Sequence, residues 1–80
     1  MVKEIVLNRE LVEKYMEETD RSIPELADEM GIDRTYLYKI LRKGRKPGRK
    51  FIEGAVRVLP YSYENIFLTK VVHKNNKSGD

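Results

Sequence analysis

The chain has 80 residues, with sixteen Lys plus Arg against thirteen Asp plus Glu, one His, no Cys and no Trp. This length bounds one small core, leaving no room for a catalytic or small-molecule-binding domain beside it. Without cysteine there is no disulfide and no thiolate metal site, as expected in a reducing compartment. No uninterrupted apolar stretch exceeds three residues, against the roughly 20 that span a bilayer. Glu4 interrupts the N-terminus before the apolar region of a signal peptide can form. These features predict a cytoplasmic chain with no membrane partner.

The net charge of +3 conceals a strong asymmetry. Residues 1–33 carry four basic and ten acidic side chains, whereas residues 34–80 carry twelve basic and three acidic ones. The stretch 34–50 holds eight basic residues and no acidic one. A block of this kind is the electrostatic footprint of a nucleic-acid contact, because each phosphate neutralised by Lys or Arg releases condensed counterions. The alternatives are a solvated surface and a disordered tail, and a block that lies on ordered structure favours the nucleic-acid contact.

In chain order, residues 1–7 have no helical apolar period and read as an extended arm or edge strand. Asn8 is a predicted N-cap, followed by Leu11, Val12, Tyr15 and Met16 on one stripe of a helix that ends near Thr19. The other face of that helix is acidic, with Glu10, Glu13, Glu17 and Glu18. Ser22-Ile23-Pro24-Glu25 has the form of a capping box, with Pro tolerated in the first turn. A second helix therefore starts at about Ile23 and stops at Gly31, where positive φ is available. Asp33 caps a third helix running from Arg34 to about Lys43, before Gly44 and Pro47. A fourth carries Phe51, Ile52, Ala55, Val56 and Leu59 on one stripe and is closed by Pro60, with Gly54 as a weak point inside it. Ser62 is a predicted cap for a last short helical turn from Tyr63 to about Leu68. Thr69 to His73 reads as a strand that can pair with the N-terminal arm, or as a helix extension. Asn75 to Asp80 is polar and expected to be disordered. The predicted organisation is an arm at 1–7, a helical domain at 8–68 and a C-terminal segment at 69–80.

The second and third helices carry the specific pattern. Counting from Ile23, apolar residues fall at positions four, eight, ten, fifteen and eighteen: Leu26, Met30, Ile32, Leu37 and Ile40. Ala27 occupies the fifth position, where two steeply crossing helices allow little more than a methyl group. Gly31 occupies the ninth, in the turn. These seven residues together resemble the helix-turn-helix of lambda-repressor and Cro-type (XRE-like) transcriptional regulators, and the resemblance covers about residues 8–68. Gly44-Arg45-Lys46-Pro47 is similar to the loop that follows the recognition helix in that family. Two departures stand out. Ile23 replaces the Gln often found at the first position, and Gly44 comes one residue late, with Lys43 in its usual place. The resemblance implies an all-α fold of five helices, in which the short extended segments at either end can pair as β-strands. It also implies a DNA-binding regulator, most simply a repressor.

The exposed face of the third helix follows from its own period. Leu37, Ile40 and Leu41 define the core direction, and Thr35, Lys39 and Arg42 point the opposite way. Tyr36 belongs at the edge of the core and Tyr38 outside it. Arg34 and Thr35, in the first turn, would lead into a major groove. A guanidinium suits guanine O6 and N7, Lys39 also reaches guanine, and Thr35 or Tyr38 suits a thymine methyl. The family resemblance implies the same base-reading set: Arg34, Thr35, Tyr38 and Lys39. Expected phosphate contacts are Arg42, Lys43, Arg45, Lys46, Arg49 and Lys50, with Ser22 at the N-terminus of the second helix. Arg42 and Lys43 would also suit a helix C-terminus, but Arg49 and Lys50 sit at a helix start, where positive charge is unfavourable and an external anion explains them better.

No metal, cofactor or catalytic residue is expected. Glu17, Glu18 and Asp20 read as a solvated helix end, and His73 has no partner for catalysis or ligation. One such module covers little DNA, so a homodimer on double-stranded DNA with half-sites about 34 Å apart is expected. The rival from another class is a protein-interaction module, such as a helix-turn-helix antitoxin whose acidic first helix grips a basic partner. A neighbouring toxin gene would favour it.

Overall fold

A computed structural model of the chain describes residues 2–72, so the expectations for His73 and for Asn75 to Asp80 lie outside the described residues. Five helices are bracketed by two strands. The order is β1 (Val2–Leu7), α1 (Arg9–Glu18), α2 (Ile23–Met30), α3 (Arg34–Arg42), α4 (Arg49–Val58), α5 (Tyr63–Ile66) and β2 (Phe67–Val72). The architecture is a mostly helical body with one small antiparallel sheet, a form consistent with a small helical DNA-binding domain.

Local chemistry sets most helix ends. The Asn8 side chain accepts a hydrogen bond from the Leu11 amide, and that of Asp33 accepts from the Tyr36 amide. At α2 the capping box is complete: Ser22 accepts from the Glu25 amide, and the Glu25 carboxylate accepts from the Ser22 amide. Each bond satisfies donors that a helix start leaves unpaired. Gly31 ends α2 in the left-handed region at φ +73°. The end of α1 takes the same geometry without glycine. Asp20 has φ +55°, and the Arg21 amide donates to the Met16 carbonyl at 2.8 Å, a left-handed stop that Asp tolerates better than most residues.

The core gathers Val12 and Met16 of α1, Leu26, Ala27 and Met30 of α2, Leu37, Ile40 and Leu41 of α3, Phe51 and Ala55 of α4, and Leu59, Ile66 and Phe67 beyond. Of the expected helix-turn-helix interior, Ile32 is half-buried and packs against this cluster. Tyr36 is likewise half-buried, while Tyr38 is 44% exposed.

The structure differs from the expected stripe of α4 at Val56, which is 46% exposed. Gly54 is the reason. It is buried against the end of α2, where an added Cβ would lie 2.8 Å from the Met30 carbonyl oxygen. A crossing this close turns Gly54 and Ala55 inward and leaves Val56 outside. The residue that weakened the helix on propensity is thus the one that lets α4 dock. The Arg57 guanidinium completes the contact, donating to the Met30 carbonyl at 3.0 Å and the Glu29 carbonyl at 3.4 Å. These are carbonyls that the C-terminus of α2 leaves open.

The last helix is shorter than expected, ending at Ile66 rather than near Leu68, and β2 begins at Phe67. Phe67 inserts into the core edge-on to Phe51, with ring centroids 6.2 Å apart, and extended backbone there lets it pair with Leu7. The register runs from Leu7↔Phe67 to Val2↔Val72. Beyond its first pair the ribbon leaves the core, and Ile5, Leu68 and Val71 are exposed.

Candidate nucleic-acid interface

The outer surface of α3 presents Arg34, Thr35, Tyr38 and Lys39, all exposed, while Leu37, Ile40 and Leu41 hold the opposite face in the core. The helix is therefore fixed in rotation, with its polar face outward. Beside it, Ile23 and Pro24 at the start of α2 join Arg34, Thr35 and Tyr38 around a shallow, mainly apolar notch. Ile23, at the position where Gln was the family expectation, thus supplies an apolar wall.

The Arg34 guanidinium does not hang free. Its Nη2 lies 3.0 Å from Asp28 Oδ2 and its Nε 3.4 Å from Oδ1, a fork across from α2. Hydrogen bonding to the Asp28 carboxylate, then its charge, pushes the Arg34 pKa up from the ordinary arginine value, so this group is cationic at any physiological pH.

At the N-terminus of α2 the capping box consumes much of what an anion would use. Glu25 accepts from the Ser22 amide at 2.8 Å and from the Ser22 hydroxyl at 3.1 Å, and Pro24 has no amide hydrogen. The backbone and then the hydroxyl bond from Ser22 hold the Glu25 pKa below the usual glutamate range.

The basic residues that follow α3 have divergent surroundings. Arg42 pairs with Glu13 of α1, so its charge is turned towards the first helix. Lys43 caps α3 through its amide, which donates to the Lys39 carbonyl at 2.9 Å. Gly44 then takes φ +71°, and the Arg45 amide returns to the same Lys39 carbonyl at 3.1 Å. The Arg45 guanidinium lies over the Tyr36 ring, 5.1 Å from its centroid. Arg49 reaches Glu53 one turn along α4 at 3.3 Å, with both side chains well exposed. Its own helix therefore supplies a carboxylate, which weakens the argument for an external anion at Arg49. Lys43, Lys46 and Lys50 are exposed and form no ion pair among the described residues.

Tyr36 organises this loop in a way that sequence reasoning missed. Its hydroxyl accepts the Gly48 amide at 2.7 Å while its ring carries Arg45. An added Cβ at Gly48 would lie 2.8 Å from that hydroxyl. Asp28 and Arg57 were missed for the same reason: their partners lie six and 27 residues away. No regular spacing signals such contacts.

Among the described residues no helix is long and apolar enough to cross a membrane, and no group of His, Cys, Asp and Glu could hold a metal ion. No family model and no solved structure matches the chain. The chain is similar to the uncharacterized HTH-type transcriptional regulator YvzC of Bacillus subtilis (strain 168), with 30% identity over 74 residues that span 92% of this chain and 96% of the relative. An exposed helix carrying cations and polar side chains, set across a glycine turn from a capped partner helix, agrees with that likeness. The chain belongs to the HTH-type transcriptional regulators.

Proposed function

We propose that this chain is a sequence-specific double-stranded-DNA-binding repressor with a lambda-repressor-like fold of the Cro and XRE type, acting as a homodimer. The observation that carries the reading is the exposed face of α3. Arg34, Thr35, Tyr38 and Lys39 point outward from a helix whose other side is fully anchored. In this reading they meet base edges in the major groove. Lys43, Lys46 and Lys50 serve as phosphate contacts, with Arg45 beside them, whereas Arg42, Arg49 and the Ser22 end of α2 join that set only by exchanging Glu13, Glu53 and Glu25 for a phosphate. The acidic face of α1 offers less to a rival partner-binding role, because Glu13 already engages Arg42.

The ribbon supports the homodimer. Two strands alone are marginal in water, and here both outer edges are unpaired among the described residues while Ile5 and Val71 stand 54% and 46% exposed on one face. A second copy offers an identical edge and the same apolar patch.

Selection of binding sites from a random duplex library tests the reading. A motif with two half-sites about 34 Å apart, or a multiple of that spacing, is expected. In that motif Arg34→Ala relaxes one base position with a loss of about tenfold to a hundredfold, whereas Lys46→Ala weakens all duplexes alike and lowers the salt slope by about one. Recovery of no motif, or equal effects of the two changes on specific and random duplexes, would overturn it.

A further inference from the structure

We propose that Asp28, on α2, is a positioning residue that sets base specificity by aligning the Arg34 guanidinium for guanine. This rests on the reading of α3 as the base-reading helix and deepens it. The pairing is side-on: Asp28 takes Nε and Nη2 of Arg34. A guanidinium has five N–H donors in a planar fork. The side-on contact uses two of them and leaves the Nη1 pair and one Nη2 hydrogen. The remaining edge thus keeps two parallel donors, the arrangement that guanine O6 and N7 require. Asp28 and guanine can therefore hold the same group at once without competing for donors.

Among the described residues the Asp28 side chain has no hydrogen-bond or ion-pair partner other than Arg34. It lies in the last turn of α2, where a negative charge opposes the helix dipole. The start of that helix is capped by Ser22 and Glu25, and its last carbonyls by Arg57. Both members of the pair are 62% exposed, a setting in which ion pairs add little to stability. A carboxylate beside a DNA-facing surface would by itself repel the duplex. What it does at this position is limit the orientations of a long side chain that lines the notch together with Ile23, Pro24, Thr35 and Tyr38. Less conformational freedom is then lost when the base is engaged.

The test compares wild type, Asp28→Ala, Asp28→Asn, Arg34→Ala and the Asp28→Ala/Arg34→Ala double variant on the selected site and on duplexes with each other base at the position that Arg34→Ala relaxes. Circular dichroism checks that every variant is folded. Wild type that prefers no sequence over random duplex would refute base reading itself, independently of Asp28. With a preference in hand, both Asp28 variants should lose about fivefold to tenfold of the guanine discrimination at that one position. Affinity for random duplex should stay equal or rise, and in the Arg34→Ala background the Asp28 change should leave discrimination unaltered. Unchanged guanine discrimination in the Asp28 variants overturns the proposal. So does a loss spread evenly over all positions, a loss that persists without Arg34, or the absence of any guanine at the Arg34 position.

Discussion

Replacing Gly54 by alanine sets two physical effects against each other, so the sign of the result is informative. Gly54 lies in the middle of α4 and not in the left-handed region, so alanine is conformationally allowed and should gain about 1 kcal/mol of helix propensity. Packing opposes this. The new Cβ would lie 2.8 Å from the Met30 carbonyl oxygen and 2.9 Å from Met30 Cβ, against about 3.5–4.0 Å for relaxed contacts between carbon atoms. Neither atom can swing aside as a side-chain tip would, so α2 and α4 must separate. Overpacking of this kind costs about 1–3 kcal/mol. Separation also strains the 3.0 Å bond from Arg57 to the same Met30 carbonyl. Contact with two atoms fixed to the backbone argues for the upper half of that range, leaving a net loss of about 1–2 kcal/mol. For a domain of this size each kcal/mol lowers Tm by roughly 4–8 °C. Thermal and urea denaturation followed by far-UV circular dichroism measure it. A Gly54→Ala protein with a raised Tm would refute the close crossing and, with it, the explanation for the outward turn of Val56.

Tyr36→Phe should leave the Gly48 amide without its acceptor, lowering stability by about 1–2 kcal/mol in urea denaturation. It should also weaken binding to specific and random duplexes alike, since Tyr36 anchors the loop that carries Arg45 and Lys46. Acid titration of stability should show the Glu25 cap: its pKa is depressed in the folded chain, so its contribution is complete above the ordinary glutamate range and is lost as the pH falls below that range through the depressed value. Ser22→Ala should flatten that part of the pH profile, and an unchanged profile would remove the capping box as its cause. Ile5→Lys, placed where the ribbon extends beyond the core, should halve the solution mass measured by light scattering and abolish preferred half-site spacing. A dimer of unchanged strength would move the interface away from the ribbon.

Features that depend on residues three or four apart were legible in the sequence. The caps at Asn8, Ser22 and Asp33 and the stop at Gly31 fall where composition and spacing indicate, because each rests on a bond or φ angle set by near neighbours. The division of α3 into a buried and an exposed face also followed from its period. At α4 the same reasoning misjudged Val56: counting apolar residues treats glycine as a gap, whereas at a close helix crossing glycine is the contact. The shift from α5 to β2 at Phe67 was hidden as well, since it depends on Leu7 and Phe51, both distant in the chain.

The amino-acid sequence alone determined the sites of most helix boundaries, the side of α3 that meets solvent and the concentration of positive charge after residue 33, because short-range hydrogen bonds and helical periodicity are local properties. Tertiary structure decided what each of those charges does. Arg42 faces Glu13, Arg45 lies on Tyr36, Arg34 is held by Asp28, and Lys43, Lys46 and Lys50 have no ionic partner among the described residues. A long cationic side chain takes the best acceptor within reach, and which acceptors are within reach depends on how the helices pack.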